Sequence, residues 1–401
     1  MTNPTQAALS DFVGGRFVPV SDDAGMLDLI DPKDGRLIGR IAESGKAGVD
    51  RAVKAASIAF AAHRKQPAHQ RIAWLKIAAA TLTKANAEIA ALICEDVGKP
   101  IRMAKFEANR GAEFLELTAA ALTQIGGETL PLDITPTGAG HIGLVRHVPY
   151  GVVAGITPFN APVNLLVQKV APAIAAGNAI IIKPAPAGTR TALRMAELFH
   201  QAGWPKDLFT VVTGDREAAL ALAAHPEVRA VSFTGGTTAG DALARAAGAK
   251  KFLAELGSNA ANIVMADADI ETAAMKIAAA AFEAGGQQCI SAQRVLVARQ
   301  VFDGFMQHFV AAATAGRRTR SHHPCAGETI ELSGVRREEI RSAARHVGLG
   351  RHGRRGQGGR SASRSDFYPR RRCDRPCRAS RPARLSPRRK PLRSYKPDLR
   401  I

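Results

Sequence analysis

Cysteine is scarce in this chain: five among 401 residues, at positions 94, 289, 325, 373 and 377. Only two precede residue 316, which excludes a disulfide framework for the body and points to a reducing compartment. The N-terminal run Met1-Thr-Asn-Pro-Thr-Gln6 lacks a basic stretch followed by an apolar one, so no secretory leader is expected. No uninterrupted apolar run reaches membrane-spanning length, and no internal repeat is visible. These absences predict a soluble, cytoplasmic protein with no membrane partner.

What is present falls into two unlike parts. The net charge of +20 suggests a nucleic-acid binder until it is mapped along the chain. Residues 317–401 hold 25 Lys and Arg against 7 Asp and Glu, whereas residues 1–316 hold 30 against 28. The tail also has only 11 Ile, Leu, Val, Phe or Met in 85 residues. A segment so charged and so poor in apolar side chains cannot offset its ordering entropy, and disorder is expected. The nearly neutral body, in a chain that is 46% hydrophobic, has room for a large α/β enzyme.

Residues 11–42 alternate short apolar runs with turn residues and read as short strands. Apolar spacing predicts helices over 48–63, 70–97 and 101–122. The stretch 130–148, broken by Pro136, Gly138 and Gly140, reads as a hairpin. Beyond it, continuous apolar runs at 152–156, 179–182, 209–212, 231–233 and 252–256 alternate with helical segments such as 164–175 and 189–202. That alternation predicts a doubly wound parallel sheet. A strand at 262–265, a helix over 270–284, a strand at 294–298 and a helix over 302–313 follow. At Gly316 the periodicity stops.

Five motifs occur in order: Gly155-Ile-Thr-Pro-Phe-Asn160, Ile182-Lys-Pro-Ala185, Phe233-Thr-Gly-Gly-Thr-Thr-Ala-Gly240, Glu255-Leu-Gly257 and Gly286-Gln-Gln-Cys289. Each is weak alone; in register, the set resembles the NAD(P)-dependent aldehyde dehydrogenase superfamily over residues 10–315. The resemblance implies an α/β fold with a Rossmann-type doubly wound parallel sheet and a truncated α/β catalytic domain. Its implied division is 1–128 with 149–256 as the NAD(P)-binding domain, 129–148 as an oligomerisation hairpin, 257–315 as a partial catalytic domain and 316–401 as an aberrant Arg-rich tail. The expected reaction is oxidation of an aldehyde to a carboxylic acid with NAD or NADP, through a thiohemiacetal and a thioester on cysteine.

Within that resemblance Cys289 matches the nucleophile, a thiolate that attacks the carbonyl. A buried inert thiol is the ordinary fate of a lone cysteine; the neighbouring motifs turn the reading, while Cys94, inside a helix, reads as core. Asn160 matches the oxyanion donor and Glu255 the general base that activates water. Alone, they would read as a turn Asn and a solvated strand-end Glu. The implied cofactor residues are Ile156, Thr157, Pro158, Phe159, Lys183, Pro184, Ala185, Pro186, Gly214, Phe233, Thr234, Gly235, Gly236, Thr237, Gly240, Leu256 and Gly257. Lys183 would contact the adenosine ribose, Gly214 would lie near the adenine, and the turn at 235–237 would set helix amides against the pyrophosphate. Pro186 stands where many NAD-preferring members have Glu, which admits NADP. The Glu-Leu-Gly-Ser-Asn-Ala-Ala variant points to small hydroxylated or phosphorylated aldehydes.

Two further patterns fail their context. Gly348-Leu-Gly350-Arg-His-Gly353 spells G-x-G-x-x-G but follows no strand and opens no apolar helix. Cys373 and Cys377, with His322, His323, His346 and His352, have atypical spacing and no second Cys pair, so no metal is expected. The tail lacks the Glu-x-Phe-Gly-Pro and Pro-Phe-Gly-Gly motifs of the family and its closing strand. Its Arg, Pro, Gly, Ser, His and Cys mix is what GC-rich codons yield out of register, so a change of reading frame near residue 315 is inferred, with activity impaired by loss of that region. Homo-oligomers are expected only with the family C-terminus intact. The alternatives are a non-catalytic remnant, or a basic-tail nucleic-acid-binding protein. With only Phe367, Tyr368 and Tyr395 as aromatics in that tail, no specific nucleic-acid partner is expected.

Overall fold

The computed structural model describes residues 8–19 and 24–318. Short strands come first: β1 (Phe12–Val13), β2 (Arg16–Phe17), β3 (Met26–Ile30) and β4 (Leu37–Ala42). Between β1 and β2, Gly14 and Gly15 take φ of +68° and +73°, the left-handed pair that a two-residue hairpin needs.

Four helices follow: α1 (Gly45–His63), α2 (Ala68–Lys84), α3 (Asn86–Val97) and α4 (Ile101–Ala121). The single helix expected over 70–97 is in fact two, bent by 71°. Ala85 is the joint: its N–H still bonds the Thr81 carbonyl, and its own carbonyl accepts from Ile89. The bend lets Leu75 and Leu82 on one arm, and Ile89 and Ile93 on the other, be wholly buried while both arms pack on α4. α3 stops at Gly98, whose φ of +66° gives the left-handed C-cap. Strands β5 (Glu128–Leu130) and β6 (Gly143–Val145) pair antiparallel as the expected hairpin, which starts two residues before the predicted 130.

The alternating region then builds β7 (Val152–Thr157), α5 (Asn164–Ala175), β8 (Ala179–Pro184), α6 (Thr189–Gln201), β9 (Phe209–Val211), α7 (Arg216–Ala224), β10 (Val228–Thr234), α8 (Thr237–Ala247) and β11 (Lys251–Glu255). The sheet order is β11-β10-β7-β8-β9-β1-β2. The first five strands are parallel, and β1 adds antiparallel to β9. Every residue of β8 is buried, with α1 and α5 both packed on it, which explains its continuous Ile run.

Strand β12 (Ala261–Val264), α9 (Ile270–Phe282), β13 (Arg294–Val297) and α10 (Phe302–Arg318) complete the described chain. β12 and β13 form their own parallel pair. α10 outruns its expected end at 313 and passes through Gly316; helical backbone there needs no apolar period. The rest of the basic tail, with the Gly348–Gly353 run, the tail cysteines and the histidines, lies outside the described residues.

Candidate functional site

The parallel strands run outward from β7 through β8 to β9, and the chain then returns to the other side of β7 for β10 and β11. The order therefore reverses between β7 and β10. Loops leaving the carboxyl ends of two such strands diverge, and open α/β sheets take ligands in the crevice so formed. All five motifs but the last end on this edge. Thr157 pairs with Pro184, Ile156 with both Lys183 and Phe233, and Thr234 with Glu255. Pro158 and the exposed Phe159 leave β7; Ala185 and Pro186 leave β8 and lead into α6; Leu256 and Gly257 leave β11.

The turn after β10 leaves a helix N-terminus open. Gly236 is the N-cap of α8, and no side chain caps that helix, so its first amides are unclaimed among the described residues. A Cβ at Gly235 would come within 2.6 Å of the Phe233 ring, and one at Gly240 within 2.6 Å of Leu256, whereas the space beside Gly236 is open. Glycine thus lets α8 seat on the sheet while its N-terminus faces free space. Thr237 is exposed at the start of the helix. Gly214 is buried with φ of +114°, a backbone conformation that other residues rarely adopt; a Cβ there would lie in ordinary contact, 3.4–3.5 Å from the Glu43–Ser44 backbone.

Two buried lysines lie in this region. Lys183 is on β8, and burial pushes its pKa down to about 8, while the charges of Asp215 and Glu43 pull it upward. Lys169, on α5, was not among the expected site residues. Its ammonium donates to Thr234 Oγ1 at 2.8 Å and Ser232 Oγ at 3.1 Å, bridging α5 to β10. Burial lowers its pKa to about 8 as well, with Glu255 opposing. Only the fold reveals it, because in sequence it is one polar residue on a helix that is otherwise mostly buried.

Cys289 is an exposed free thiol in a turn. Three left-handed residues precede it: Ala284 (φ 48°), Gly285 (φ 69°) and Gly286 (φ 79°). Ser291 ties the loop back to α9, its hydroxyl donating to the Ala281 carbonyl at 3.1 Å. Asn160 reaches this loop: its Nδ2 donates to the Gln287 carbonyl at 2.5 Å, two residues before the thiol. One Nδ2 hydrogen remains available, and Oδ1 is buried without a partner. Glu255 is exposed at the end of β11. Its carboxylate makes no hydrogen bond or ion pair among the described residues; its influence is felt at Lys169. The structure thus joins Asn160 to the Cys289 loop and sets Glu255 at the same sheet edge, with no hydrogen bond to either among the described residues. Cys94, expected in the core, is half-buried on α3, and burial raises its pKa.

The aldehyde dehydrogenase family pattern matches residues 19–329 of this chain. Aspartate-semialdehyde dehydrogenase 1 of Pseudomonas canavaninivorans is 35% identical over 289 residues, covering 72% of this chain and 62% of the relative. 3-Sulfolactaldehyde dehydrogenase of Priestia megaterium is 39% identical over 239 residues, covering 59% and 50%. Among solved structures, NADP-dependent glyceraldehyde-3-phosphate dehydrogenase from Bacillus halodurans, complexed with NADP, superposes with a TM-score of 0.74 at 32% identity, covering 77% of this chain and 65% of that one. The chain therefore spans between half and two thirds of the length of these relatives.

Proposed function

The chain belongs to the aldehyde dehydrogenase family, and from that premise we propose that it oxidises a small polar aldehyde to its carboxylic acid with NAD+ or NADP+. The observation that carries this reading is the amide of Asn160 lying on the loop of the exposed Cys289, beside a switch-point crevice with an uncapped helix N-terminus. The crevice suits a dinucleotide: the first α8 amides, from Thr237 on, match a pyrophosphate, while the Gly235 N–H is held by the Glu255 carbonyl at 3.0 Å, and Lys183 and Gly214 match the adenosine end. Bound there, NAD(P)+ supplies the hydride acceptor.

The chain's own groups divide the remaining work. The Cys289 thiolate attacks the aldehyde carbon, and the carbonyl oxygen becomes an oxyanion. The free Nδ2 hydrogen of Asn160 and the Cys289 backbone N–H stabilise that charge. After oxidation the acyl group is held as a thioester on Cys289. Glu255 takes a proton from water, whose oxygen attacks the thioester carbon; the C–S bond breaks and the acid leaves. Pro186 offers no carboxylate to repel a 2′-phosphate, which supports use of NADP+, and the Bacillus halodurans neighbour carries NADP. The named relatives act on aldehydes bearing a carboxylate, sulfonate or phosphate, which supports a small anionic substrate.

A panel of such aldehydes assayed for NAD(P)H formation, with Cys289→Ser as control, tests the proposal. Turnover by the unmodified chain and none by the variant is expected. Equal rates in both would reject the nucleophile. NAD(P)+ binding without turnover in either would favour a non-catalytic remnant.

A further inference from the structure

We propose that the buried ion pair between Lys99 and Glu107 positions Asn160 for the oxyanion, an inference that rests on the role just assigned to Asn160. Lys99 lies in the turn between α3 and α4, and Glu107 two turns into α4; their side chains are only 8% and 4% exposed. Among the described residues, every side-chain hydrogen bond of the pair outside itself falls on one five-residue segment. Lys99 Nζ bonds Glu107 and donates to the Asn160 carbonyl at 2.7 Å. Glu107 Oε1 accepts from the N–H groups of Val163 at 2.9 Å and Asn164 at 3.2 Å.

The backbone is thus gripped on both sides of Ala161-Pro162. α5 begins there with Val163 as N-cap, a residue that cannot cap its own helix, and Glu107 supplies the missing acceptor from another element. A buried ion pair is weak evidence for stability, because desolvation offsets most of the attraction. Here both charges are satisfied, and both are spent on the segment that carries Asn160. The Asn160 side chain leaves that clamped backbone and meets Gln287 in the thiol loop. A displacement of about 1 Å at such a donor costs on the order of a hundredfold in rate.

The test uses the double variant Lys99→Met/Glu107→Gln, which leaves no lone charge buried. The first readout needs no turnover: the side-chain amide signals of Asn160 in a nitrogen-15 asparagine-labelled chain, identified by their loss in Asn160→Ala. They are expected to move to the position of a solvent-exposed asparagine in the double variant. The second is kinetic. kcat should fall about ten- to a hundredfold, while the KM for NAD(P)+ and the alkylation rate of Cys289 by iodoacetamide stay unchanged. Adding Asn160→Ala should lower kcat no further. An unmoved Asn160 amide signal, or a kcat loss additive with Asn160→Ala, would overturn the inference and leave the pair as a helix cap. If the unmodified chain turns over no aldehyde, the proposed activity fails and the amide signal still decides the positioning. Should the double variant not fold, Lys99→Gln/Glu107→Gln, which also leaves no lone charge buried and keeps an acceptor for the two N–H groups, gives the same readouts.

Discussion

Replacing Asp96 by asparagine isolates one pH-dependent term in the fold. Asp96 is 3% exposed near the end of α3. Its Oδ2 accepts from Thr191 N at 3.3 Å and Thr191 Oγ1 at 3.0 Å, and Arg190 lies 3.3 Å from Oδ1. Burial pushes its pKa up from 3.8 to about 7, although Arg190 and the Thr191 hydrogen bonds pull the other way; Glu95 adds slightly to the rise. Below pH 3.8 the group is protonated in both the folded and unfolded chain and has no effect. Between 3.8 and 7 the unfolded chain releases the proton and the folded one keeps it, so stability falls as pH rises. Above 7 the cost is constant. At about 1.4 kcal/mol per pH unit the interval amounts to about 4 kcal/mol.

Urea unfolding of the chain and of Asp96→Asn at several pH values from 4 to 8.5 reads this directly, since all other titrations are shared and cancel. Relative to the variant, the unmodified chain should lose on the order of 4 kcal/mol across the window, most of it before pH 7. A difference between the two proteins that stays constant with pH would refute the reasoning. The contact also has a functional side. Asp96 holds the first turn of α6, which starts directly after the Pro186–Gly188 turn beside Lys183.

Two further substitutions have definite signs. Ala284→Gly removes a Cβ from a left-handed residue five positions before Cys289 and should stabilise by roughly 1 kcal/mol; a thermal midpoint below that of the parent would contradict the left-handed backbone. Gly155→Ala places a methyl against the Ile182 Cδ1 and within 3.4 Å of Ile180 Cδ1 and Lys169 Cδ. It should cost about 1–3 kcal/mol by overpacking β7, and an unchanged urea midpoint would show that strand to be loosely packed.

The periodic elements were legible because each buries a stripe or run of its own. α5 begins and ends where the spacing predicts, and the strands from β7 to β13 fall within a few residues of their apolar runs. The break at Ala85 was not legible, since no glycine or proline marks it; it exists because two arms must reach the same helix. The sheet order was hidden too, as apolar runs do not say which neighbours they choose, and the antiparallel addition of β1 and β2 has no local signal. At the site, the motifs marked Asn160, Glu255 and Cys289 by their glycine and proline context. Lys169, Lys99 and Glu107 carry no such context. Their partners lie 8 to 65 residues away, and a charge that is buried in the fold looks the same in sequence as one in water.

The reversal of strand order also sets a timetable for synthesis. β8 and β9 can join one edge of β7 as they leave the ribosome, but the other edge waits for β10, whose Val228 pairs with Val152. Until then a run of Val-Val-Ala-Gly-Ile-Thr shows bare amides and carbonyls on that side, an adhesive edge for any neighbouring nascent chain. Ribosomes paused before residue 228 therefore hold β7 with one open edge, those paused after β10 has emerged pass that open edge to β10, and only β11 covers it.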